Sequence, residues 1–460
     1  MRKLIIIIIS IFLVTNHLFA QKMPAKDLDF LLQKIKNVYA GYKEKVNEDE
    51  FNRLVNEVKN SNSKDTFAQL AKLTGYFKDH HLSLFNTKEL NNVDSIECSN
   101  NLLYLNKYIK TKKGKLNDYE GYWMDEINTG IIFLKKISKN ELRGYIIETK
   151  KKAPPGFCTI KMKKDKGGNY NADIITLRGS RIFSTASFKT NKILVVNSFS
   201  KWKKLDEYKP GLLATKKEFS FIPELKIIDS NNVLIRMPDF GGYNVKIYDS
   251  IIAANEDIIT KTKNLILDIR NNGGGTSGSF KSLVPYVCTN PIIRGGGYQL
   301  CSEEIIIDAK NDMQEYIKLK DTATIEIFEK YIKEMENNKN KLRFVNPDTL
   351  DCEPKPNNIK NIAIIINHGC RSAAELMILW FKQSKKVKVF GEPTAGAVDY
   401  LDMLTYTLPT TGYTLWVATV KRLLTKENGK YDNIGIRPDI QISDNESDWV
   451  KFVQNYYEKN

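Results

Sequence analysis

Leu265-Ile266-Leu267-Asp268-Ile269-Arg270-Asn271-Asn272-Gly273-Gly274-Gly275 is the stretch on which the fold turns. Its apolar run does not alternate with polar residues, and such a strand belongs in a sheet covered on both faces, the habit of parallel α/β sheets. Three successive glycines follow. They let backbone amides approach a ligand with no Cβ in the way.

The same unit recurs at Ile362-Ala363-Ile364-Ile365-Ile366, with an amphipathic helix expected from Ala373 to Gln383 and a further strand at Val387-Lys388-Val389-Phe390. Upstream, Val233-Leu234-Ile235-Arg236-Met237 reads as a strand and Ile251 to Ile259 as a helix. Downstream, two alternating runs flank Pro409-Thr410-Thr411-Gly412, as in an antiparallel hairpin. Residues 216–448 therefore read as one α/β domain with an antiparallel addition. Leu28, Leu31 and Ile35, then Phe51, Leu54, Val55 and Val58, then Phe67, Leu70 and Leu73 keep helical spacing, which predicts an N-terminal helical bundle within residues 21–90. Between them, residues 100–215 break into short strand-like runs separated by Lys, Asn, Gly and Pro clusters, a β-rich middle domain.

Met1-Arg2-Lys3, the apolar run Leu4 to Val14 and the small residue Ala20 compose a secretory leader over residues 1–20. The run is too short to cross a bilayer, so the mature chain is expected to be exported, periplasmic or extracellular, with no stable membrane insertion. Six cysteines suit an oxidising route and allow up to three disulfides in any of 15 pairings. No Cys/His cluster has zinc spacing, so no metal is implied. The formal charge is +16, from 70 Lys+Arg against 54 Asp+Glu, but it is scattered and lacks a basic-aromatic module, which argues against nucleic acid.

Histidine is scarce: outside the leader only His80, His81 and His368 occur. His368 stands four residues before Ser372, at a strand-to-helix turn. Ser372-Ala373-Ala374-Glu375 is a capping box, Ser at the N-cap and Glu at N3, so the serine has a purely architectural reading as well as a nucleophilic one. The triple-glycine turn lacks the Gly-Lys-Ser/Thr of a phosphate loop, and no Gly-x-Ser-x-Gly elbow occurs.

Four motifs in order carry a resemblance: Leu265 to Gly275, Ser372-Ala373-Ala374-Glu375, Gly391-Glu392-Pro393-Thr394-Ala395-Gly396, and Gly435-Ile436-Arg437-Pro438-Asp439. Together they resemble the tail-specific (carboxyl-terminal-processing) serine peptidases. The resemblance implies a crotonase-like (ClpP/crotonase) catalytic core, no cofactor, and Ser372 as nucleophile. The branch with a Ser-Lys dyad carries its lysine where this chain has Ala397. Residues 100–215 also lack the Gly-Leu-Gly-Phe-like loop of the PDZ domain usual in that branch. Tyr76 to Leu84, with Asp79 and His81, instead is similar to the Asp-x-His motif of the tricorn-core branch, which implies His81 as general base. Asp432-Asn433-Ile434-Gly435 matches that branch's Glu-Asn-x-Gly one methylene short, which implies Asp432 as the acid behind the histidine, with Asp79 as competitor. The backbone N–H of Ala373 and one from Gly274, or alternatively Gly273, would form the oxyanion hole.

The expectation is an exported serine endopeptidase acting on peptide or protein substrates through an acyl-enzyme. The alternatives are a catalytically degenerate relative that binds peptides or glycans, and an esterase using the same site.

Overall fold

In the computed structural model of this 460-residue chain the described residues are 23–87, 93–112, 115–165, 167–196, 200–424 and 429–459, so the expected leader lies outside them. The architecture is mixed α/β, built around a sheet of strands Asn232–Arg236, Asn264–Asp268, Asn361–Ile366, Val387–Gly391 and Ile440–Gln441 in parallel, with Glu224–Ile227 antiparallel at one edge. Side chains of a strand alternate between faces, and here both faces are covered. Leu265 and Leu267 pack with Met377, Ile378 and Phe381 of the helix Ala373–Phe381, whereas Ile266 and Ile365 pack with Trp449 and Val453 of the helix Trp449–Lys459. The absence of alternation in the sequence thus has a direct cause.

The N-terminal helices Ala25–Asn37, Glu48–Lys59 and Thr66–Gly75 form where periodicity placed them, but they do not close a core of their own. Leu31, Phe51 and Leu70 share one core with Leu415 and Val417 of the hairpin Tyr400–Thr407/Thr414–Arg422, and with Ile305 and Met335 of a helical pair, Glu303–Leu319 and Thr322–Asn337. Asp27, fully buried, fastens the first helix to the hairpin turn by accepting from the N–H groups of Thr410 (2.7 Å) and Thr411 (2.9 Å). Strand Leu82–Phe85 joins the hairpin antiparallel, with Leu82 opposite Val417. That pairing carries the segment just before it, Asp79-His80-His81, from early in the chain to the C-terminal half.

The β-rich region is a closed eight-stranded antiparallel barrel from Gly121–Asp125 to Ser200–Lys204, those two strands pairing to shut it. Trp123, Ile146, Ile160, Met162 and Leu194 fill its interior, so it is a packed core and not a ligand cup. Of the possible cysteine pairings one forms, Cys288–Cys352; Cys98, Cys158, Cys301 and Cys370 are free thiols. Among the described residues no helix is long and apolar enough to cross a membrane.

Candidate active site

Strand Asn361–Ile366 ends in a turn held by its own side chains. Asn367 Oδ1 accepts from the N–H groups of Asn271 (2.8 Å) and Gly369 (3.1 Å), and its Nδ2 donates to Asn271 Oδ1 (2.9 Å). Because Asn271 opens the glycine turn, this pair of amides locks the two loops together. Arg371 N–H completes the clamp on Asn272 O at 3.1 Å.

Ser372 follows, with φ 54° and ψ −122°. A non-glycine residue held there stores about 1–3 kcal/mol of strain, which persists only where surrounding contacts over-determine it. Those contacts converge on Glu375. Its fully buried carboxylate accepts from Ser372 N (3.1 Å), Gly396 N (2.8 Å), Ala397 N (2.8 Å) and the Thr394 hydroxyl. Burial pushes its pKa up to about 7, against the pull of these donors. The cap predicted from sequence is therefore also a brace between the serine and residues 394–397. Ser372 N also lies 3.2 Å from Ala397 O.

Gly274 presses on the serine from the other loop, at φ 91°. A Cβ on it would lie 2.7 Å from Ser372 Cβ, 2.7 Å from Arg371 O and 3.0 Å from Ala373 N. Gly274→Ala is expected to cost about 2 kcal/mol and to slow any reaction of Ser372 about tenfold, because serine and turn must separate. Gly273→Ala, whose Cβ would meet nothing within 4 Å, should leave the melting temperature near that of the wild type; thermal melts of the two variants check this. The amide of Gly274 is already committed to Asn272 Oδ1 at 2.9 Å. Of the two glycine donors named from sequence, Gly273 is exposed at the open side of the turn. Ala373, the first residue of its helix, has an N–H with no intrahelical acceptor.

His81 is buried, with Nδ1 2.5 Å from the carbonyl oxygen of Tyr400. A carbonyl can only accept, so Nδ1 carries the proton and Nε2 holds the lone pair. Burial lowers the pKa of His81, with Asp79 and the Tyr400 carbonyl opposing and Arg371 assisting, which keeps the ring neutral. His80 is lowered to about 4, by burial first and then by Arg371. Tyr400 stands three residues beyond Ala397, a span of at most about 10 Å. One short segment thus holds both the serine's amide and the histidine's ring.

Neither acid named from sequence hydrogen-bonds the His81 ring. Asp79 Oδ1 accepts instead from the backbone N–H of His81 (2.8 Å), and its Oδ2 from Tyr39 Oη (2.5 Å). Asp432 is buried, its Oδ2 paired with Lys45 Nζ at 2.7 Å and its N–H donating to Asp399 Oδ2 at 2.9 Å. Burial and then Asp79 raise its pKa to about 6, against Lys45. Sequence reasoning missed the Tyr400 carbonyl, which as a backbone group has no side-chain signature, and Lys45, which is one of many lysines.

His368 does not serve Ser372 here. Its Nε2 is 2.7 Å from Glu126 Oε1 of the barrel and its Nδ1 3.6 Å from Glu392 Oε2. Burial disfavours its charge, but Glu126 and Glu392 outweigh that and raise its pKa. Glu392 also pairs with the buried barrel residue Lys201. The barrel therefore docks on the C-terminal half through buried charges of opposite sign.

Residues 232–442 match the model of peptidase family S41. That segment, a little under half of the chain, is what is similar to the family, and the four motifs lie within it. Mature CPAF complexed with lactacystin superposes with a TM-score of 0.50 at 14% identity, covering 94% of this chain and 96% of that one. The photosystem II D1 C-terminal processing protease gives 0.39 at 12%, covering 91% and 93%, and a lipoprotein from Streptococcus agalactiae 0.32 at 22%, covering 52% and 69%. At 14% identity the first of these shows a shared fold. No curated protein matches the chain.

Proposed function

We propose that the protein is an exported serine endopeptidase with a crotonase-like core and a histidine base. The Oγ of Ser372 bonds to the peptide carbonyl carbon while its proton passes to Nε2 of His81. The oxyanion is met by the N–H groups of Ala373 and, with Gly274 engaged by Asn272, of Gly273. The C–N bond then breaks, the imidazolium returns the proton to the leaving amine, and water, deprotonated by the same nitrogen, releases the acyl group. The observation that carries this reading is the strained backbone of Ser372 beside the glycine turn, tied through Ala397 to the segment whose Tyr400 carbonyl fixes the His81 tautomer. The Cys288–Cys352 disulfide supports export, since such bonds persist in oxidising compartments.

Treatment with a fluorophosphonate probe is expected to label the folded protein, with labelling lost in Ser372→Ala and slowed about 10²–10⁴-fold in His81→Ala. Folded protein that takes no label is a binder and not an enzyme. Ester turnover without cleavage of a peptide library makes it an esterase.

A further inference from the structure

Lys45 closes the short helix Tyr42–Lys45 far from the catalytic motifs in sequence, yet its ammonium lies among the groups that hold His81. Nζ is 2.7 Å from Asp432 Oδ2, 3.7 Å from Asp79 Oδ2 and 4.3 Å from the centroid of the Tyr400 ring. Asp79 holds the backbone N–H of His81 and the Tyr400 carbonyl holds its Nδ1. The Lys45 side chain is only 14% exposed, and those of Asp79 and Asp432 are 2% and 3% exposed. Two carboxylates in so dry a site resist joint ionisation unless a cation stands between them.

We propose that Lys45 is a positioning residue for the catalytic histidine: it ties Asp79 to Asp432 and pins the Tyr400 ring, so that the two acceptors aligning His81 stay in place. This rests on the reading of His81 as base. It also gives Asp432 a role without direct contact, since Asp432 anchors the ammonium that steadies Asp79 and Tyr400. Other charges face the cluster. Asp399 adds to the negative field at Asp432, and Arg371 and Asp402 act on His81 in opposite directions. Glu44 accepts from Tyr400 Oη at 3.2 Å, Tyr39 donates to Asp79, and His80 feels both Asp79 and Lys45. Of these charged groups Lys45 is the one that makes an ion pair with both carboxylates.

Removing the cation takes a positive charge away from beside the groups that hold His81, which favours its imidazolium. This moves the acid limb of Ser372 reactivity upward. In the full-length protein, Lys45→Met is expected to raise the midpoint of fluorophosphonate labelling by about one pH unit, roughly a tenfold loss of rate at pH 6 that narrows toward pH 9. Lys45→Arg, which keeps the charge, restores most of the wild-type profile. The His81 ring followed by NMR with labelled histidine should show the same upward shift of its midpoint in Lys45→Met, whether or not the serine reacts. A Lys45→Met protein that keeps the wild-type His81 titration, or loses rate equally at all pH values in proportion to its unfolded fraction, overturns the proposal. Failure of the wild type to label at all overturns the peptidase reading alone, and the NMR titration still decides the role of Lys45.

Discussion

Ser372→Gly is expected to abolish probe labelling and peptide cleavage while raising the melting temperature. Loss of the Oγ removes the nucleophile. The same substitution releases the strain of holding a Cβ at φ 54°, ψ −122°, a region open to glycine. Relief of about 1–3 kcal/mol, less about 0.5–1 kcal/mol for the greater freedom of glycine in the unfolded chain, leaves a gain of about 1–2 kcal/mol. In a chain of this size that corresponds to a rise of about 1–2 °C. Ser372→Ala is the control, since it is equally inactive but keeps the Cβ and so the strain. Thermal melts that place Ser372→Gly no higher than Ser372→Ala would show that the turn stores nothing, and the argument from backbone geometry to nucleophile would lose its support.

Glu375 carries the second large effect. Its carboxylate receives three backbone N–H groups and one hydroxyl, all inside the protein, and no water can replace it cheaply. Glu375→Ala leaves the N–H groups of Gly396 and Ala397 and the Thr394 hydroxyl without this acceptor around a cavity, while Ser372 N keeps Ala397 O. At about 1–3 kcal/mol for each, partly relieved by relaxation, the cost is about 5 kcal/mol, comparable with the whole stability of many proteins. The milder Glu375→Gln keeps the shape but turns an NH2 toward backbone donors, at an expected cost of about 2–3 kcal/mol. Because the same carboxylate fixes Ser372 N and the loop leading to Tyr400, Glu375→Gln should also label at least 100-fold more slowly than the wild type at a temperature where it is fully folded. Denaturant melts and labelling rates on one preparation separate the two effects. A Gln variant that melts lower but labels normally would reduce Glu375 to a cap.

That residue also shows how far local reading goes. Ser372-Ala373-Ala374-Glu375 announces a helix start, and the helix begins there. The spacing of three between Ser and Glu is a local property, so sequence contains it. What the pattern leaves open is that Glu375 reaches past the cap to residues 394–397, because those contacts depend on where strand Val387–Gly391 places the following loop. The helices of residues 25–75 follow the same rule. Their apolar spacing sets where each forms, but their shared core with the hairpin is closed by Asp27 and by strand Leu82–Phe85, whose partners lie more than 300 residues away. Such partners leave no periodic trace near either segment.

For the candidate site, Ser372, the glycine turn and the Asp79-His80-His81 segment were all readable, since each joins an unusual residue type to a strand end or helix start. The relation between His81 and its supports was not. The ring is held by a backbone carbonyl, and every residue has one; the two acids meet at a lysine in a chain rich in lysine. His368, four residues before Ser372, is held by Glu126, a barrel residue that only docking brings within 2.7 Å.

Taken alone, the order of residues determined the doubly covered parallel strands, the capped helix behind Ser372, the glycine turn and the antiparallel hairpin, because alternation, capping and turn chemistry act over a few neighbouring positions. Tertiary structure alone decided which nitrogen of His81 is free, which cation balances Asp79 and Asp432, and that the middle region closes into a filled barrel. Those outcomes depend on hydrogen bonds, charge pairing and desolvation between groups that meet only after the chain has packed.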